Sequence, residues 1–307
     1  MRFAITHPML SHPYHPDLVT GAGVAALARA AEAAGFDGYG FTDHPAPPQS
    51  WLDVGGHDAL DPFAALGFVA AATTSIRLIP NLVVLAYRNP FVVAKAAATL
   101  DSLSGGRFTL AVGAGYLEAE YAALGVDHGE RGPLIDEALE VLRAVWTSDE
   151  VSFEGRHFRA EAITAHPRPV TAPHPPIWIG GNSAAARRRV ARWGQGWAPF
   201  PASGAMAAAV ETSPLDGLDA FADAVADLRR RLEAEGRDPA TVDICFSTRA
   251  GGNPAKDTFD ADANLEALAA LAELGVTWVQ VGIPGDSVAR AIETMERYRE
   301  LVIDRSR

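Results

Sequence analysis

Apolar residues along the chain follow two rhythms in alternation. Short runs rich in β-branched and aromatic residues, beginning with Arg2–Thr6, are each followed by a longer stretch with apolar positions three or four apart. The first rhythm predicts strands over Arg2–Thr6, Gly38–Thr42, Ile76–Leu85, Arg107–Gly113, Ile177–Gly180, Gly196–Pro199, Val242–Thr248 and Val276–Ile283. The second predicts helices near Thr20–Ala34, Pro62–Ala72, Pro90–Leu103, Pro133–Thr147, Ser183–Trp193, Leu218–Glu235, Ala261–Leu274 and Ser287–Ile303. Local signals agree: Gly35 stands where a helix would stop, Pro90 where one would start, and Ser104-Gly105-Gly106 where that one would end. Val151–Ala160 interrupts the rhythm and reads as a small inserted hairpin. Strand alternating with helix argues a parallel sheet covered by helices. Eight such units predict a single (β/α)8 TIM barrel domain over residues 1–307, with a small insertion. An open dinucleotide-binding sheet lacks its fingerprint here, because no G-x-G-x-x-G joins the first strand to the first helix.

Composition narrows the function classes. The formal charge is −12, and the longest basic run is Arg187–Arg189, which argues against a nucleic-acid partner. That run reads as a solvated helix face. No apolar run approaches the roughly eighteen residues needed to span a bilayer, and the chain opens directly on a strand, so no membrane partner and a cytoplasmic location are expected. The single cysteine, Cys245, lies in an apolar run and reads as a buried, inert thiol.

In a barrel, reactive groups come from the C-terminal ends of the strands. Asp43 and His44 stand where the second strand runs out. A histidine there can exchange a proton near neutral pH. Neighbouring side chains diverge on an extended backbone, so one of the two faces a hydrogen-bonded wall and the other faces a ligand. An aspartate that merely caps loop amides is the alternative. Pro80 inside the third strand cannot donate to a ladder, so the strand must be irregular at Ile79-Pro80-Asn81-Leu82. Gly113 and Gly115 leave the fourth strand and let backbone pass close to a flat group, or simply form a tight turn. Gly180 and Gly181 precede a helix that Asn182 or Ser183 can cap, which makes an anion site of the phosphate type. His7, His12 and His15 crowd the first loop without paired metal-binding spacings, so no metal is assigned and His7 and His12 are candidates for lining the substrate site.

Together these residues resemble the luciferase-like flavin and deazaflavin oxidoreductases. The resemblance rests on Gly35-Phe-Asp37 with Asp43-His44, Arg88-Asn-Pro-Phe91, Leu100-Asp-Ser-Leu-Ser-Gly-Gly-Arg107, Val112-Gly-Ala-Gly-Tyr116, Glu130-Arg-Gly132 with Glu140-Val-Leu-Arg143, and Pro175-Pro-Ile-Trp-Ile-Gly-Gly181. It is nearest to the branch that uses coenzyme F420, a phosphate-bearing deazaflavin. The resemblance implies that Asp43 and His44 line the pocket near the redox ring, and that Asn81 and Leu82 fall where the family has a non-proline cis peptide behind that ring. It further implies that Gly113 and Gly115 pass beside the ring and its tail, and that Gly180, Gly181, Asn182 and Ser183 form the phosphate cradle. Tyr116 stands where the sugar-phosphate dehydrogenases of this group carry a catalytic carboxylate, so it becomes a substrate-lining candidate and that activity is not expected.

The expected activity is hydride transfer between coenzyme F420 and a small organic substrate, with His44 as acid/base and Asp43 orienting it or contacting the ring. An FMN-dependent monooxygenase fed by a partner reductase is the near alternative. A non-catalytic flavin- or deazaflavin-binding barrel is the distant one. The resemblance also implies a homodimer.

Overall fold

The computed structural model describes residues 1–307. Its strands are β1 (Arg2–Thr6), β2 (Gly38–Gly40), β3 (Arg77–Leu78), β4 (Val83–Val84), β5 (Leu110–Gly113), β6 (Val151–Glu154), β7 (Arg159–Ile163), β8 (Ile177–Gly180), β9 (Gly196–Ala198), β10 (Asp243–Phe246) and β11 (Trp278–Val281). β6 and β7 pair with each other as an antiparallel hairpin, which runs on to Ile163 rather than ending at Ala160. The other nine form one sheet in the order β3-β2-β1-β11-β10-β9-β8-β5-β4, with every pair parallel. Helices follow the strands and pack on the outside, giving a TIM-barrel-type α/β fold.

The two strands at the sheet's ends are pieces of one predicted strand. Ile79–Leu82 interrupts it: Pro80 has no N–H to give, the Asn81–Leu82 peptide is cis, and Asn81 N–H turns to Phe41 O at 2.7 Å. The neighbouring strand accommodates this break at Gly40, where a Cβ would collide with the Ile79 carbonyl. β3 also bonds the segment leading into β5, through Leu78 N–H to Arg107 O at 2.9 Å and Thr109 N–H to Leu78 O at 3.0 Å. β1 and β8 have their predicted bounds, β5 begins later than predicted, at Leu110, β2 and β9 end one or two residues early, and β10 and β11 are trimmed at both ends.

Helix starts follow side-chain chemistry. Thr20, Asp61, Asn89, Ser183, Asp260 and Ser287 each accept a hydrogen bond from a first-turn N–H, and Pro62 and Pro90 occupy first-turn positions where no donor is needed. The predicted stripe of Ile135, Leu139, Leu142 and Trp146 is wholly buried on the helix Arg131–Thr147. Within the sheet's curl, alternate residues meet in a separate small core of Ala4, Ile79, Ala111, Trp178, Cys245 and Trp278. Burial pushes the Cys245 thiol up to about 12 and leaves it protonated and unreactive. The long linker after β9 is folded, holding a short helix at Gly204–Ala209 and an antiparallel bridge between Ala202 and Leu215. No helix is long and apolar enough to cross a membrane.

Candidate active site

The C-terminal ends of the strands open into a cavity of about 710 Å³. Asp43, His44, Asn81, Leu82, Gly113, Gly115, Tyr116, Gly180, Gly181 and Ser183 all line it. These residues come from four separate stretches of chain, and the sheet order brings them together.

Asp43 and His44 diverge. Asp43 is 3% exposed and its carboxylate is saturated. It accepts from Val84 N–H at 3.0 Å and from Arg88 Nε and Nη2 at 2.9 and 2.6 Å. A bidentate guanidinium pair of this kind fixes orientation as well as charge, so Asp43 is the hydrogen-bonded wall. His44 turns the other way. Its Nδ1 lies 3.1 Å from Oε2 of Glu120, which is 2% exposed and whose other oxygen accepts from Ala46 N–H at 3.2 Å. A carboxylate on Nδ1 sets the tautomer and leaves Nε2 as the working nitrogen. Nε2 has no protein partner, and the ring packs against Trp51 and His57 at centroid distances of 4.7 and 5.0 Å. Burial, with the neighbouring imidazole of His44, lowers the His57 pKa, which keeps His57 neutral. Burial and the Glu120 charge push the Tyr116 hydroxyl up to about 12.

The glycines at the mouth make room for protein first. A Cβ on Gly113 would stand 2.6 Å from Leu82 Cδ1, and one on Gly180 would overlap Leu82 Cδ2. The Leu82 side chain therefore lies across both strands. Gly115 (φ 71°) and Gly181 (φ 101°) are needed for conformation, since both sit in the left-handed region.

At the end of β8, Ser183 caps the helix Ala184–Trp193 through its hydroxyl, which accepts from Ala186 N–H at 3.2 Å. The N–H groups of Ser183, Ala184 and Ala185 meet no protein acceptor. Free donors at the positive end of a helix are what an anion cradle requires. Asn182 does not share in it. It is 1% exposed; its Nδ2 donates to Phe200 O at 2.9 Å and Ser213 O at 3.2 Å, and its Oδ1 accepts from Phe200 N–H at 3.0 Å. Asn182 ties the linker over the cavity. The arginine run on this helix is not a solvated face either: Arg187 pairs with Asp227 at 2.6 Å and Arg189 is buried against Asp136 at 2.5 Å, leaving only Arg188 exposed.

His7 and His12 stay outside the cavity. His7 is buried beneath it, donating from Nε2 to Leu18 O at 2.9 Å and accepting from the Tyr39 hydroxyl at 2.6 Å on Nδ1. His12 pairs with Asp58 at 2.7 Å and clips the first loop to the second. Sequence reasoning missed Glu120, His57, Arg131 and Arg189, all in or behind the cavity wall. A signal for Glu120 existed in Leu117-Glu-Ala-Glu-Tyr121, directly after the glycine pair, but nothing there separates it from Glu118.

An uncharacterised protein of Mycobacterium tuberculosis is 31% identical over 286 residues, 89% of this chain and 91% of its own. An F420-dependent glucose-6-phosphate dehydrogenase of Nakamurella multipartita is 35% identical, over 68% of this chain and 60% of its own. An FMNH(2)-dependent dimethylsulfone monooxygenase of Pseudomonas putida is 36% identical over 40% of this chain and 35% of its own. Among solved structures, a monooxygenase of Streptomyces bottropensis shares the fold at a TM-score of 0.79 and 22% identity, covering 100% of both chains. An F420-dependent secondary alcohol dehydrogenase does so at 0.76 and 18%, covering 100% of this chain and 99% of that one. The family model of the luciferase-like monooxygenases matches residues 1–300, and the chain belongs to that family.

Proposed function

We propose that the protein is an oxidoreductase that moves a hydride between coenzyme F420 and an organic substrate. The observation that carries this reading is the Glu120–His44 pair: a histidine held by one ring nitrogen, with the other nitrogen free, in a cavity that also contains an anion cradle. The residues present fit the cofactor. Unpaired N–H groups at Ser183, Ala184 and Ala185 suit its phosphate, and Leu82 offers an apolar support for a flat ring. When bound, the deazaflavin takes or gives the hydride.

The chain's own residues do the rest. His44 gives or takes the matching proton at Nε2, while Glu120 holds Nδ1 and fixes the ring's orientation. Trp51 and His57 pack around the imidazole and limit its access to water. Asp43 acts on this chemistry only indirectly, by holding Arg88 and the backbone at Val84. In this reading β3 and β4 count as one strand, the third of a closed (β/α)8 barrel.

FMN carries a phosphate that the same cradle would accept, and the dimethylsulfone monooxygenase relative favours that second reading. Anaerobic titration of the purified protein with coenzyme F420 and, separately, with FMN decides between them. Micromolar or tighter binding of F420 with much weaker FMN supports the hydride-transfer reading, and the reverse order moves the protein to flavin chemistry. If neither binds, the cradle argument falls. Gly181→Val should weaken the preferred cofactor about tenfold or more, because a side chain at that φ is strained.

A further inference from the structure

A second cavity, of about 560 Å³, opens beside the first and shares Ser247 and Gln280 with it. The loops after β10 and β11 form its walls, and Phe259, Val279 and Tyr298 belong to its apolar lining. The chemistry of its lining is one-sided. None of its 15 lining residues is Asp or Glu, although the chain as a whole carries a formal charge of −12. The N–H groups of Thr248, Arg249, Asn253 and Gly282 meet no protein acceptor. Arg249 is exposed on the cavity's edge and has no carboxylate partner. By contrast, Arg131 and Arg189 in the first cavity are tied to Glu211 and Asp136. At the junction, Gln280 spends its amide N–H on Thr6 Oγ1 at 2.9 Å, which leaves its amide oxygen free.

An arginine without a counter-ion, beside four unpaired donors and no acid, is a site for an anion. Barrels often hold anionic groups between the loops after their last two strands. The cofactor's own phosphate has its cradle at β8, so this second cavity is left for the other reactant. We infer that it seats the anionic group of the organic substrate, a carboxylate or phosphate monoester, on Arg249 and the loop N–H groups. The rest of the substrate then passes Ser247 and Gln280 into the first cavity. This inference rests on the oxidoreductase reading and names the substrate class for it: an organic anion whose reacting carbon lies some way from its charge.

Calorimetric titration of the cofactor-free protein tests it with matched probes. One arm uses straight-chain and aromatic monocarboxylates, each beside its carboxamide; the other uses glycerol 1-phosphate beside glycerol. The expected result is that at least one anion binds about tenfold or more tightly than its neutral partner. Arg249→Gln should abolish that preference and Arg249→Lys should restore part of it, while coenzyme F420 affinity stays unchanged in both. Which arm shows the preference identifies the anion. No preference in any pair, or one that survives Arg249→Gln, overturns the inference. So does a fall in F420 affinity in Arg249→Gln, which would place the cofactor's own acidic tail here. Failure of the wild-type protein to bind F420 would sink the cofactor reading alone, because the probe titrations do not involve it.

Discussion

The loop after β2 and the loop after β10 border the same active-site mouth and are built on opposite terms. Around the first, the charged groups are tied down: Asp43 by Arg88 and Val84, Glu120 of the segment after β5 by Ala46 and His44, and His12 of the loop after β1 by Asp58. The ring nitrogens left over at the cavity are Nε2 of His44 and Nε2 of His57. In the second, Arg249 and a run of backbone donors have no partner at all. The difference separates two kinds of functional residue. A group that must act at a fixed point needs saturated neighbours to hold it, whereas a group that recognises a ligand must be left unsatisfied by the fold.

Adjacent substitutions in the first loop should break the two roles apart. His44→Ala should lower turnover by about 10²- to 10⁴-fold, the range for loss of a positioned acid/base. Its urea midpoint should fall less than that of Asp43→Ala, because Glu120 keeps the Ala46 N–H when the ring is gone. Asp43→Ala should do the reverse and cost about 1–3 kcal/mol of stability, because it leaves the buried Val84 N–H unpaired and Arg88 with Asp61 alone. Urea unfolding of both variants beside steady-state turnover makes the comparison. If His44→Ala proves the more destabilising, the division of labour drawn here is wrong.

The histidines sharpen the contrast next. Burial lowers the His7 pKa from 6.5 to about 4, only partly offset by the Leu18 carbonyl. The unfolded chain takes up a proton at this position below pH 6.5 that the native state refuses until about pH 4. Stability should therefore be complete above that window, fall as the pH drops through it, and level off below. The loss is on the order of 3 kcal/mol. His7→Gln should flatten this part of the profile, measured as urea midpoints across the window.

Fold and site were legible to different degrees, for physical reasons. Period-2 and period-3.6 patterns follow from burial, so every strand and every long helix could be read from the chain. Pro80 announced the break in the third strand because a missing N–H is a local property. Apart from β1 and β8, strand bounds were only partly legible, since residues such as Phe41 and Ile283 are as apolar as those inside the ladder. At the site, the glycines and the Asp43-His44 pair were visible because their chemistry is unusual where it stands. Asn182 misled: after two glycines it looks like a cap, but its amide turns inward to Phe200 and Ser213. The Glu120–His44 pair spans 76 positions in sequence, and no local pattern records a contact of that kind.

The smallest effect falls on the glycines, and it separates packing from binding. Gly113 and Gly180 both lie under the Leu82 side chain, so their lack of a Cβ is explained without any ligand. Gly180→Ala should cost about 1–3 kcal/mol of stability by overpacking. Leu82→Ala removes the atoms that the new methyl would meet, so the double variant should lose less than the sum of the two single ones, by on the order of 1 kcal/mol. Gly113→Ala should couple to Leu82→Ala in the same way. Thermal unfolding of the single and double variants measures both couplings. Additive losses would mean that Leu82 is not what these glycines make room for. The close approach they allow would then belong to the cofactor, and the double variants would still fail to bind it.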